Sequence, residues 1–172
     1  MTVQHTTPAG GRYLTFGLDD QIYGLEILRV QEIVGLLPVT RVPRLPAAFA
    51  GVVNLRGRVI PVIDLRQALG MDASAMGERT CIVIARLEGD VGDRVVGLVV
   101  DTVSDVVAFT GEQMEATPEF GRMADTSYIS AIGRVEGRVV LLLDIDEVLS
   151  DEQASAVESA ARAACEDGEG SR

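Results

Sequence analysis

The side chains able to do chemistry are few, and their types point to recognition more than to reaction. The single histidine, His5, lies in the first eleven residues, so no Ser-His or Cys-His pair can form within the folded part. Acids stand together at Asp19-Asp20 and at Asp144 with Asp146, where turns and helix caps ordinarily place them. Cys81 sits in an apolar run and reads as a small buried hydrophobe, and Cys165 lies far away near an acidic tail, so no disulfide framework is expected. No Cys/His or Ca²⁺-loop spacing occurs, nor a phosphate-loop or dinucleotide fingerprint, and neither a metal, a cofactor nor enzymatic activity is expected. What remains is Arg56, a guanidinium in a stretch of valine and leucine, two residues after Asn54. Two readings stand side by side: an exposed hairpin arginine in a surface salt bridge, or a contact that only one part of the chain makes with a partner.

The stretch that must position Arg56 is 51–66 (GVVNLRGRVIPVIDLR), read as two β-branched strands turning at Arg56-Gly57-Arg58 and closing on Asp64 as a helix N-cap. It has an echo. Residues 57–69 (GRVIPVIDLRQAL) align with 137–149 (GRVVLLLDIDEVL) at an offset of 80, and residues 23–34 align with 96–107 at an offset of 73. Two ordered matches sharing Gly and Asp indicate a duplicated unit. The change of offset places seven extra residues within 111–126 of the second copy. At the echoing positions Glu136 replaces Arg56 and Arg134 replaces Asn54.

Each copy has the same grammar. A strand (13–18, 80–87) turns into a second strand, then comes a tighter segment, a helical turn or a bent strand, in which Ile27, Val30 and Ile33-Val34 lie three and four apart. Pro38, Pro43 and Pro46 keep the connection that follows from forming a long element. A hairpin and a short helix end the copy. Asp64 and Asp144 each precede a Gln or Glu by three residues, the spacing of a capping box; contact with a partner is the other reading of Asp64. Residues 150–165 are Ala-rich and read as a helix with a small apolar face (Ala154, Val157, Ala161, Ala164), and 166–172 as a frayed tail.

A chain of 172 residues fits one domain or two small subdomains sharing a core. Five short strands per copy can limit exposed edges by curling into a small barrel. Two such barrels would meet along an apolar groove. Net charge is −11, unevenly spread: residues 1–77 are net +1, and residues 144–172 net −7. An acidic chain without a basic stripe argues against nucleic-acid binding. No apolar run is long enough to span a membrane, and residues 1–11 read as a disordered tail, not a signal peptide. A reducing cytoplasm is the default compartment. All fifteen basic residues are arginine, through selection for guanidinium contacts or the codon usage of a GC-rich genome.

Together these blocks resemble the CheW family of chemotaxis coupling proteins. The resemblance rests on GLEILRVQEI at 24–33, Pro43 and Pro46 followed by GVVNLRG and PVIDLR within 51–66, GLVVDTVSDV at 97–106 and LLDI at 142–145, and it covers about residues 12–149. Ala131, where the family commonly has glycine, and a single Pro118 instead of Pro-x-Pro depart from its pattern. The resemblance implies a mainly β fold of two packed five-stranded SH3-like barrels, the first about 12–77 and the second about 78–149, with strands open to exchange between them. It implies a non-catalytic adaptor joining the cytoplasmic hairpin tip of chemoreceptors to the CheW-like regulatory domain of the histidine kinase CheA. Val30, Glu32, Arg56, Val103 and Val106 would face the receptor around the inter-barrel groove. Gly51 and Gly57 match glycines linked to kinase coupling, although hairpin geometry explains a glycine equally. The protein would be cytoplasmic and recruited to membrane-associated arrays without inserting. Adaptor work in another pathway (pilus motility or diguanylate cyclase control) and small-molecule sensing in the groove are the alternatives.

Overall fold

A computed structural model describes residues 10–71, 76–88, 94–117 and 128–148 of the chain. The β-branched runs form the strands foreseen from the sequence. β1 (Gly11–Leu18) and β2 (Gln21–Glu26) make a hairpin, and a 3-10 turn at Ile27–Arg29 leads into β3 (Val30–Gly35). The tight segment read as a helical turn or a bent strand is thus one after the other. β4 (Phe49–Leu55) and β5 (Arg58–Asp64) form the second hairpin, followed by the one-turn helix α1 (Leu65–Ala68). The second copy supplies β6 (Cys81–Leu87), β7 (Arg94–Val100), β8 (Thr102–Phe109), the short β9 (Met114–Glu115), β10 (Ile129–Val135), β11 (Arg138–Leu143) and α2 (Ile145–Val148). The expected helix at 150–165, the C-terminal tail, residues 1–9 of the N-terminal tail and part of the seven-residue insertion lie outside the described residues, while Gly11, assigned from the sequence to the N-terminal tail, begins β1 through its pairing with β8.

Duplication is visible in the turns. Arg56 and Gly57 have φ of 52° and 87°, and Glu136 and Gly137 have φ of 50° and 76°. Two consecutive positive φ values are what a tight two-residue hairpin needs, because that turn follows the right-handed twist of its strands.

The sheets do not follow the halves of the sequence. One sheet runs β8-β1-β2-β11-β10-β9 and the other β3-β6-β7-β5-β4. The first hairpin of each copy is given to the last hairpin of the other, through parallel pairing of β2 with β11 and of β5 with β7. The division near residue 77 is therefore a boundary between repeats and not between sheets. The repeated glycines sit at these exchanges. A Cβ on Gly24 would lie 2.7 Å from Leu142 Cδ2, and one on Gly97 would lie 2.8 Å from Ile82 Cγ2 and 3.3 Å from Val62 Cγ2.

Three apolar clusters hold the molecule. Val53, Ile60, Val62, Ile82, Ile84 and Val99 fill the inside of the five-stranded sheet, with Val34 of β3 and Leu55 of β4 packed on the same cluster. Those two strands stand at opposite ends of the sheet order, so the sheet curls. A bridge between Thr40 and Val52, with two backbone hydrogen bonds of 2.8 Å, draws the chain leaving β3 back to β4. In the other sheet Phe109 of β8 packs with Val140, Leu142 and Met114, and its ring fills the space a Cβ on Gly133 would need. A third, larger cluster, including Leu14, Phe16, Leu25, Ile63, Val83, Leu98 and Leu143, lies between the sheets. Burial of this kind is worth about 25 cal/mol per Å² of apolar surface, and here it welds the two sheets into one core.

Candidate functional site

Arg56 emerges at the tip of the β4–β5 hairpin, and Glu32 lies on β3, the strand at the far end of the same sheet. Curling brings them together: Arg56 Nη1 donates to Glu32 Oε2 at 2.7 Å. Hydrogen bonding to Arg56 holds the Glu32 carboxyl below its ordinary range, and the same bond to Glu32 raises the guanidinium's pKa. The Arg56 side chain is still 70% exposed, so the pair closes the sheet edge while leaving a guanidinium able to meet a further acceptor. The salt bridge read from the sequence is present, and it does not exclude a partner. Asn54 acts locally, where its Oδ1 accepts from the Gly57 amide at 2.9 Å and pins the turn. In the second copy that support is absent from position 134, where the Arg134 side chain pairs with Glu115 at 2.6 Å.

Val30, beside the 3-10 turn, and Val103, near the start of β8, are both half-buried against the central inter-sheet cluster. Val106 lies on β8 of the other sheet, opposite Leu14 of β1, with 43% of its surface exposed. The structure thus joins Glu32 to Arg56 and sets Val30 and Val103 on one shared core, whereas Val106, on the same strand as Val103, lies outside that cluster and is exposed. Gly51 and Gly57 differ in their reasons for being glycine. Gly51 has φ +141°, and a Cβ there would overlap the Thr40 carbonyl oxygen and lie 2.8 Å from the carbonyl carbon; Gly57 needs only its positive φ, with nothing within 4 Å.

Two charge networks went unseen in the sequence. Arg66 is 1% exposed, yet it carries a full charge among carboxylates. Its Nη2 meets Asp64 Oδ2 at 2.9 Å, Nε meets Asp64 Oδ1 at 3.0 Å, and Nη1 meets Asp101 Oδ1 at 3.1 Å. The hydrogen bond to Asp64 raises its pKa against the opposing cost of burial. Asp101 Oδ2 in turn accepts from the Asp19 amide at 2.8 Å. Asp64 also caps α1, but through the Arg66 amide at 3.1 Å, one residue earlier than the capping box foreseen at Gln67; the carboxylate is turned inward to serve the guanidinium as well. Asp144 caps the Asp146 amide in the same way at 3.1 Å.

The second network reverses the signs. Asp146, which echoes Arg66 at the offset of 80, accepts from Arg29 at 2.5 Å and from the Glu88 amide at 3.0 Å, and Arg29 reaches Glu88 at 3.1 Å. Each network sits where the chain crosses between sheets, Asp101 between β7 and β8 and Arg29 between β2 and β3. The available signal was the reversal of charge at one position of two otherwise matching copies. Its partners, outside the aligned helix, carried no such mark.

A separate open cavity of about 670 Å³ lies beside residues 36–50, with Phe49 at its wall and Asp64, Arg66 and Gln67 reaching it from the end of β5 and from α1. Its lining comes mostly from the connection between β3 and β4, with β4, the end of β5 and α1, and includes no residue of the other sheet, so it is not the inter-sheet groove expected for a ligand. Among the described residues no group of His, Cys, Asp and Glu could hold a metal, and no helix is long and apolar enough to cross a membrane.

Comparison with known proteins agrees with this architecture. The model of the CheW-like domain matches residues 12–153. The chemotaxis protein CheW of Klebsiella aerogenes is 39% identical over 153 residues, covering 89% of this chain and 90% of its own. That of Rhizobium meliloti is 35% identical, covering 89% of this chain and 96% of its own. The crystal structure of the scaffolding protein TtCheW from Thermoanaerobacter tengcongensis superposes with a TM-score of 0.74 at 26% identity, over 84% of this chain and 95% of that one. With a family model spanning most of its length and relatives above 30% identity aligned nearly end to end, the chain belongs to the CheW-like domain family.

Proposed function

We propose that the chain is a non-catalytic chemotaxis adaptor that joins the cytoplasmic tip of a chemoreceptor to the histidine kinase CheA, working in the cytoplasm at membrane-associated arrays. The chemotaxis and scaffolding roles named for its relatives support the pathway. The observation that carries the contact is the Glu32–Arg56 pair, which presents an exposed guanidinium of fixed position beside an adjoining edge strand. A receptor helix would rest on Val30 and Val103 and take its register from this pair, with Val106 extending the apolar face. The kinase domain would bind another surface of the chain, and Gly51 and Gly57 would bear on coupling through backbone geometry, Gly57 in the same turn as Arg56 and Gly51 beside the Thr40–Val52 bridge. Each contact is modest alone, and repetition in an array multiplies the effect through high local concentration.

The test is reconstitution of the chain with a receptor cytoplasmic fragment and CheA, reading kinase autophosphorylation. Arg56→Glu puts like charges together at an exposed pair, so the fold should persist while kinase activation falls. Unchanged kinase control by the variant, with an unaltered thermal transition, would remove Arg56 from the receptor contact. Loss of the thermal transition would show that its role is structural.

A further inference from the structure

The cavity beside residues 36–50 combines features that the receptor contact does not use. Leu36, Val42, Leu45 and Met76 give it apolar walls, and Arg41 and Arg44 stand in its lining. Leu36 and Met76 are 41% and 42% exposed, which is high for large hydrophobic side chains. Arg44 is held at φ 68°, a backbone conformation that is strained for a non-glycine residue and persists only where the surroundings impose it. Among the described residues neither Arg41 nor Arg44 has a hydrogen-bond or ion-pair partner, unlike Arg29, Arg56, Arg66 and Arg134. Two unpaired guanidiniums over an apolar floor match an acidic segment with a small apolar face.

We propose that this segment is the chain's own C-terminal stretch, residues 149–172, docked in the cavity. It carries six acids against two arginines and places Ala154, Val157, Ala161 and Ala164 three and four apart. Those small side chains fit a shallow, half-open site better than large ones would. The stretch starts directly after Val148, whose buried side chain belongs to the same cluster as Phe49 and Leu45, both of which line the cavity. Reach is no obstacle: at about 3.3 Å per extended residue the segment spans about 80 Å. Attachment to the same chain gives a weak contact a high effective concentration.

The full chain tests this through its native Cys165. In a Cys81→Ala background, a nitroxide on Cys165 should selectively broaden the NMR amide signals of residues 36–50. Raised salt, or Arg41→Glu with Arg44→Glu, should restore those signals. Broadening confined to other regions, or none, would overturn the proposal. So would broadening at residues 36–50 that persists in the double variant. Mixing spin-labelled, unenriched chain with ¹⁵N-enriched, unlabelled chain separates the remaining occupant. Broadening of the enriched chain would assign the cavity to the tail of a second copy and refute docking within one chain.

Discussion

Gly51→Ala, set against Gly57→Ala, measures what holds the five-stranded sheet closed. Both glycines lie at positive φ, +141° and +87°, so both variants meet backbone strain of about 1 kcal/mol or more. At Gly57 nothing stands within 4 Å, and strain is the whole cost. At Gly51 the new methyl overlaps the Thr40 carbonyl, which accepts the Val52 amide in one of the two 2.8 Å hydrogen bonds of the closing bridge. Relief of the clash must part residues 40 and 52 and lose both bonds, at about 1 kcal/mol each. The expected costs are about 3 kcal/mol for Gly51→Ala and about 1 kcal/mol for Gly57→Ala. For a domain of this size that is about 6–12 °C against about 2–4 °C in Tm. Thermal and urea unfolding give the totals, and amide exchange at Thr40 and Val52 locates the loss. Equal costs for the two variants, or undiminished protection of the Val52 amide in Gly51→Ala, would refute the reasoning. In that event any loss of kinase coupling in Gly51→Ala would have to come from a lost contact and not from an opened edge.

Further expectations follow from the charge networks. Arg66→Ala leaves Asp64 buried without its cation and should cost about 3–5 kcal/mol in urea unfolding, and Arg66→Lys should recover only part because a single nitrogen cannot match the planar fork whose three nitrogens each meet a different carboxylate oxygen. Arg29→Asp and Asp146→Arg should each destabilise the protein, while the double reversal should show a favourable coupling of about 1 kcal/mol in a double-mutant cycle. The Glu32 carboxyl titrates below its ordinary value because of Arg56, so the pair's contribution is complete above the ordinary carboxylate range and disappears as pH falls through the lowered value. Arg56→Ala should move the Glu32 titration up toward the ordinary carboxylate value, read by carboxyl ¹³C NMR.

Much of this architecture could be read from one chain because the duplication wrote it twice. Paired glycines, paired cap acids and paired hairpin turns located the strands, and the Arg56–Gly57 and Glu136–Gly137 turns agree even in their φ signs. The exchange of hairpins is less visible. Alternation of apolar residues records which side of a strand is buried, but not which copy supplies the neighbouring strand. β2 would satisfy its backbone equally beside β5 or β11. The Glu32–Arg56 pair was legible as two candidate residues, yet their contact depends on curling of the whole sheet. Arg66 was hardest to foresee. Arginine two residues after a cap acid usually reads as surface, and only the burial of α1 beneath the sheet connections makes it interior.

Reciprocal exchange of hairpins also fixes an order of assembly during synthesis. The five-stranded sheet needs nothing beyond β7, so it can be complete once residue 100 has left the ribosome. β1 and β2, although made first, have no parallel neighbour until β11 appears at residues 138–143. The N-terminal hairpin must therefore wait through nearly the whole chain with Phe16, Leu18 and Leu25 only partly covered. Such distant pairing makes folding slow and gives the nascent chain a sticky interval. Cutting the gene between the repeats would yield two fragments, each lacking a strand pair that the other holds, and they should become compact only when mixed.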